Sequence, residues 1–587
     1  MANSRDVNRR TSLVVAVCLA AGAGVPVAYD ALAAPPPKPA VYLVGGSWEQ
    51  INPSAEMLGN QDFYLGGFGF ASGHPGNVTA LPSVTGGRYA EGVLGDPATD
   101  PEGAGAHTRA FAVSDGRATI VLSQIETQGY FNAYKQGPFG ENEIRQDAAK
   151  AIAALATADR PAPTASQIIV DSDHSHGGPD TAGVWGGVPT SYLKLVHDNT
   201  VQAIVDAWKA MQPATLTYGI AHAGVSGEAN YLPTVDADGV QRWLLHNQFQ
   251  YDSANQDMDD EIRVLQARDP HTKKVLDTYV NFGAHPDVLG SSNRFVTGDY
   301  PGRVNLKLEA LYGGFGMDQV GTLGRTQPNG PGCPADQQTG DKIHDNICSL
   351  DAYADEVVKK VVDALATARP LTGDPTVAMN SYLLEDTTTN AVLLAGENGG
   401  QLIGAPFARA NNAPWYTGSQ LGTSYFVGKI GSILLTGGPG EMYPQIWQKV
   451  KDTVTQDKTS GITSVMNIGT AGDFLGYIIA PLEAYPEPIK SSVISTNDDS
   501  CGDPLGICPD PIGNDNYFFN VSHTFGERLT CDFLRGAGDI VANDSQKYWS
   551  TYSRCPAFTN DYVAPPGLDM TFPQQPDLSA LPPFQHL

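Results

Sequence analysis

Gln167-Ile-Ile-Val-Asp-Ser-Asp-His-Ser-His-Gly-Gly-Pro-Asp180 is the stretch around which the rest of the chain can be placed. Ile168, Ile169 and Val170 are β-branched and adjacent, as in a short buried strand. The apolar run stops at Asp171. Asp173, His174, Ser175 and His176 follow, and then Gly177-Gly178-Pro179, which neither continues a strand nor starts a helix. The stretch predicts a strand with a tight loop at its carboxyl end, where open α/β sheets place their ligands. A single His in a loop is ordinarily a polar surface residue. Two of them at i and i+2, flanked by acids and held by Gly-Gly-Pro, point instead to chemistry, because imidazole is the commonest metal ligand and a ready general base.

The flanks supply a sheet for that strand to join. Tyr42-Leu-Val44 reads as a first strand, and 109–113 and 119–123 as two strands around a Ser114-Asp-Gly-Arg117 turn. Residues 141–159 show helical periodicity through Ile144, Ala148, Ile152 and Leu155. Beyond the loop comes a helix at about 191–211, with Leu193, Val196, Val201, Ile204 and Trp208 on its inner face. Strands are expected at 215–221, 263–267 and 275–282, the last two joined by Asp269-Pro-His-Thr-Lys273, and a helix runs from Asp299 to about residue 311. Helices and strands in this mixed order predict an α/β fold with some antiparallel pairs.

At 587 residues the chain is long enough for a large core, and 41% hydrophobic content describes a folded protein. A formal charge of −27 argues against nucleic acid as a partner and against attraction to anionic membranes. Arg5, Arg9 and Arg10 precede the short apolar run Leu13–Ala21, and Ala31-Leu-Ala33 offers a cleavage site, so residues 1–33 read as a signal peptide. No transmembrane segment is expected. Removal of the signal takes Cys18 with it and leaves Cys333, Cys348, Cys501, Cys508, Cys531 and Cys555, an even set that suggests disulfides in an exported protein. Sequence does not choose among the pairings; joining nearest neighbours would staple three loops.

Four stretches together resemble the neutral (non-lysosomal) ceramidases, zinc amidases that split ceramide into sphingosine and a fatty acid. His174-Ser-His-Gly-Gly-Pro179 is similar to their His-Thr-His-Ser-Gly-Pro loop. His285 ends a strand, and Thr297-Gly-Asp299-Tyr-Pro-Gly302 follows it as the family's Ser-x-Asp-x-x-Gly does. The segment from Lys429 to Glu441 reads as an apolar strand whose Gly-Gly-Pro-Gly turn delivers Glu441 to a helix start; a Glu there is well placed for the helix dipole in any protein, but the family's Gly-x-Pro-x-Glu turn binds zinc. Gly469-Thr-Ala-Gly-Asp-Phe-Leu-Gly-Tyr477 resembles the segment that ends in a zinc-bound Tyr. The resemblance implies a mixed-sheet zinc hydrolase domain over residues 34–535, with His174, His285, Glu441 and Tyr477 as ligands to Zn²⁺, Asp299 behind them, and His176 donating to a developing oxyanion. A Pro-rich extension, 536–587, stands where the family carries an immunoglobulin-like domain.

The resemblance breaks at the family's nucleophile. In the turn Gly324-Arg-Thr-Gln-Pro-Asn329, Gln327 occupies the place of the reactive Ser, and Thr326 is one position off. A carboxamide cannot attack. The sequence therefore implies a secreted or periplasmic zinc-dependent hydrolase of ceramide or another N-acylated, lipid-like compound, using zinc-activated water with Gln327 in a positioning role. The alternative is a non-catalytic zinc-containing lipid- or ligand-binding protein.

Overall fold

The computed structural model describes residues 38–558, apart from 69–87, 227–233, 236–240, 248–257, 388–419, 480–520, 522–524 and a few shorter gaps. The expected signal peptide, the pair Cys501 and Cys508, and residues 559–587 lie outside the described residues.

The main sheet takes, in chain order, β1 (Val41–Gln50), β2 (His107–Ser114), β3 (Thr119–Ile125), β4 (Ile168–Ser172), β5 (Gln212–His222), β6 (Glu261–Arg268), β7 (Val275–Phe282) and β8 (Phe315–Val320). Their spatial order is β8-β7-β6-β5-β1-β2-β3-β4. Chain connection explains the pairing. The β2–β3 and β6–β7 pairs are tight hairpins and so antiparallel, whereas β3–β4 and β7–β8 are parallel because helices α1 (Glu141–Ala153) and α3 (Asp299–Tyr312) carry the chain back between them. Between these two crossovers, α2 (Thr190–Ala210) lies against β1 at Gly45, where a Cβ would stand 2.5 Å from the Met211 nitrogen. The outer strands come together, and Gln319 of β8 donates to the Asp171 carboxylate of β4.

A second sheet, β9 (Val377–Thr387), β10 (Gln420–Ile430), β11 (Ile433–Gly437) and β12 (Ser464–Ile468), runs in that order. Helix α5 (Pro444–Gln456) makes the crossover between the parallel β11 and β12. Beyond β12 the chain threads between the outer strands of the main sheet. Gly469 donates to the Val320 carbonyl at 3.1 Å and Gly472 to that of Val170 at 3.0 Å. The carboxyl ends of β4, β7, β11 and β12 thus converge on one place.

Three expectations change. The stretch from Lys429 is two strands, β10 and β11, because Gly431 turns the chain at φ +58°. Glu441 does not stand at a helix start: Glu441–Met442 is a short strand paired in parallel with Tyr477–Ile478, and α5 begins only at Pro444. Helix α1 stops at Ala153, short of 159, as the chain turns between Thr157 and Arg160 ahead of Pro161. Two long helices among the described residues went unread. One is α4 (Lys342–Thr367), which buries Leu350, Val357, Val361 and Ala364; the other is α6 (Phe525–Ala542), which runs through residue 535 where the C-terminal extension was expected to begin. Disulfides join Cys333 to Cys348 and Cys531 to Cys555, two of the three nearest-neighbour pairs.

Candidate metal centre

The loop after β4 is held in a conformation that few side chains adopt. His174 has φ +64°, a left-handed value that is rare for a bulky residue and clusters at functional sites. Its neighbours fix it there. Asp173 accepts from the Ser175 amide at 2.9 Å, the Ser175 hydroxyl donates to the Thr297 carbonyl at 2.9 Å, and the His176 amide donates to the Pro286 carbonyl at 2.8 Å. Glycine is required where the loop packs: a Cβ on Gly177 would lie 2.4 Å from a Thr297 methyl, and one on Gly67 only 2.2 Å from the His176 ring.

Backbone carbonyls orient two of the three imidazoles. His174 Nδ1 donates to the Gln128 carbonyl at 2.7 Å, and His285 Nδ1 to the Thr326 carbonyl at 2.8 Å. That choice of tautomer leaves both Nε2 lone pairs facing inward, as second-shell contacts of metal-bound His do. Glu441 Oε2 lies 3.3 Å from His174 Nε2 and 3.1 Å from His285 Nε2; the Tyr477 hydroxyl is 3.4 Å from His285 Nε2. His176 Nε2 is 3.3 Å from His174 Nε2, and one ring nitrogen from each of His174, His176 and His285 falls within a 4.8 Å group.

These spacings suit a metal ion. Donors bound tetrahedrally to Zn²⁺ at roughly 2.0–2.1 Å stand about 3.3 Å from one another, and the observed separations bracket that figure. Electrostatics agree. Burial would raise the Glu441 carboxyl, but His174 and His285, while Nε2 carries a proton in place of a metal, outweigh it and hold the group well below the ordinary carboxylate range. Burial, with His174 and His285 alongside, holds His176 well below the usual imidazole range, so it stays neutral. His174 and His285 are 2% and 0% exposed; His176 is only partly buried and marks the open side of the group. The arrangement can bind a cation with N and O donors, with one imidazole free to face an incoming ligand.

The structure brings all four sequence-derived ligand residues together, and it adds His176 to the imidazole group. Asp299 stands one layer out, at φ +48°, accepting from the amides of Val288, Leu289 and Tyr300 at 3.1, 3.2 and 2.8 Å. It thereby pins the loop that carries His285. Gln327 is likewise indirect: with its amide turned so that the nitrogen faces Asp287, it donates to that carboxylate at 2.8 and 3.2 Å, an orientation that satisfies both groups. Burial raises Asp287 to about 7. The Thr326 hydroxyl is also engaged, donating to the Thr322 carbonyl at 3.2 Å. Sequence reading missed Arg88, which donates to the carbonyls of Gly66 and His176 and, at 3.2 Å, of Asn293, tying three loops together. It also missed the roles of the Gln128 and Thr326 carbonyls, which act through the backbone and leave no side-chain signal.

Comparison with known structures places the fold. A crystal structure of neutral ceramidase from Pseudomonas aeruginosa matches 84% of this chain and 75% of its own, with a TM-score of 0.52 at 14% identity. A ceramidase complexed with C2 matches 92% of this chain and 78% of its own, with a TM-score of 0.54 at 14% identity. The chain shares the neutral ceramidase fold. No family model and no curated protein matches its sequence.

Proposed function

We propose that this protein is an exported zinc-dependent hydrolase that cleaves the amide bond of ceramide or another N-acylated, lipid-like compound. The observation that carries the proposal is the spacing of the four residues that would hold the ion: Glu441 lies 3.3 Å from His174 and 3.1 Å from His285, and Tyr477 lies 3.4 Å from His285. Bound there, Zn²⁺ supplies Lewis acidity toward an acyl carbonyl and toward water. A ceramidase-like fold alone does not decide a substrate; the buried carboxylate and phenol do more, since a purely structural zinc is usually closed by Cys and His.

The chain's own residues supply the rest. His176, neutral and on the open side, donates to the carbonyl oxygen as negative charge develops there. Gln327 and Asp299 hold the His285 loop, by way of Asp287 and of the 288–289 amides. Thr326, the hydroxyl next to Gln327 in the chain, is turned inward onto the Thr322 carbonyl, which supports water as the attacking group.

The same observation favours one other reading, a zinc-containing lipid-binding protein without activity. Zinc-loaded protein incubated with a library of N-acyl lipids and N-acyl peptides, with product read by mass spectrometry, separates the two. Release of free fatty acid, abolished in Glu441→Gln, supports the hydrolase. Retention of intact lipid with no cleavage supports the binding protein.

A further inference from the structure

The opposite end of β7 carries a second site. A cavity of about 670 Å³ opens between β1, the end of α2 and α3, lined by Asp277, Trp48, Phe315 and Glu309 among others. Asp277 precedes the end of β7 by five residues, roughly 17 Å of extended strand, and His285 lies further on still. The cavity is therefore separate from the metal centre.

Asp277 is the unusual group. It is 3% exposed, it lines the cavity, and among the described residues its carboxylate has no hydrogen-bond or ionic partner. Burial alone raises it, to about 7. Buried carboxylates are normally paired. The other acid in the cavity is: Glu309 accepts from Arg109 at 2.6 Å and from the Gly316 amide at 3.0 Å. No Lys, Arg or His lines the space, so Asp277 faces it with no cation of the chain opposite. The walls beside it are aromatic. Gly46 makes this possible, since a Cβ there would lie 2.1 Å from the Phe315 ring and 2.7 Å from Asp277 Oδ1.

We propose that this cavity binds a small organic ammonium ion, one positive charge on an apolar arm. Asp277 pairs with the charge, and Trp48 and Phe315, whose rings already pack against His107 at 5.2 Å and under the Arg109 guanidinium at 5.7 Å, line the space for its apolar arm. A divalent metal fits less well, because Ca²⁺ takes six or more oxygens and Asp277 is the one uncommitted carboxylate in the lining.

Calorimetric titration of the metal-loaded full chain with phenethylammonium tests this, with 2-phenylethanol as its uncharged counterpart. The site predicts saturable one-to-one binding of the ammonium and none of the alcohol. Asp277→Asn should weaken binding at least about tenfold, as expected for loss of a contact to a charged group. Trp48→Leu should weaken it severalfold, and His174→Ala should leave it unchanged. Because a folding defect would also lose binding, each variant is compared at matched melting temperature and circular dichroism; should Asp277→Asn not fold, Trp48→Leu carries the test. No ammonium binding at millimolar concentration, equal binding of the alcohol, undiminished binding by both variants, or loss in His174→Ala would overturn the proposal.

Discussion

At the scale of single residues, the imidazoles were legible because their chemistry is written in side chains. His174 and His176 stand out as a pair in a Gly-Gly-Pro loop, and His285, Glu441 and Tyr477 follow from resemblance to short motifs. What could not be read is what orients them. The Gln128 and Thr326 carbonyls belong to every residue type alike, and Arg88 reaches the site from a part of the chain with no motif of its own. The sequence suggests that Gln327 orients water or substrate, whereas its amide, turned with the nitrogen toward Asp287, binds that carboxylate. Gln327→Ala should therefore act through the His285 loop. It should lower zinc affinity and rate together, by about 10–100-fold as for other groups behind a metal ligand, and added zinc should restore part of the rate. A fall in rate at unchanged zinc affinity, measured by competition with a chelator, would return Gln327 to direct contact with substrate.

Elements were legible where periodicity or a turn dictated them. The β2–β3 hairpin, β7 and α2 match their sequence signals closely because apolar spacing and Gly/Asp turns act locally. Glu441 did not, because the strand that holds it exists only through pairing with Tyr477, a contact made across the α5 crossover. Helix α4 carried a readable signal, with Asp341 capping the Ile343 amide at 2.9 Å and apolar residues at helical spacing beyond. The disulfides belong to this scale too. Thiol titration of the denatured, unreduced chain lacking residues 1–33 should find no free cysteine; two or more would contradict the pairing of all six. Cys555→Ser frees α6 from the Trp549 segment and should cost about 3 kcal/mol, the usual value for a loop of this size, read as a fall in the urea midpoint.

At the scale of the whole molecule, the sheet encloses acids far from water, and this sets how stability depends on pH. Asp318 on β8 is fully buried, and burial alone raises its carboxyl from 3.8 to about 8. The folded chain then keeps a proton that the unfolded chain releases. Stability from this group is complete below the unfolded value near 4 and is lost as pH rises toward 8, at up to about 1.4 kcal/mol per pH unit. Asp318→Asn, uncharged throughout, should flatten that decline; an unchanged slope in urea unfolding between pH 5 and 8 would show that Asp318 is ionised in the fold. The curling of the sheet that buries Asp318 was not legible, because nothing local marks two distant strands as neighbours. It is also what brings the carboxyl ends of β4 and β7 to one place, so the metal centre depends on it. Zinc content is accordingly the most direct test. Elemental analysis of the purified chain should find about one zinc in the wild type and essentially none in His174→Ala or His285→Ala, each folded by circular dichroism. Equal zinc in all three proteins would contradict the site.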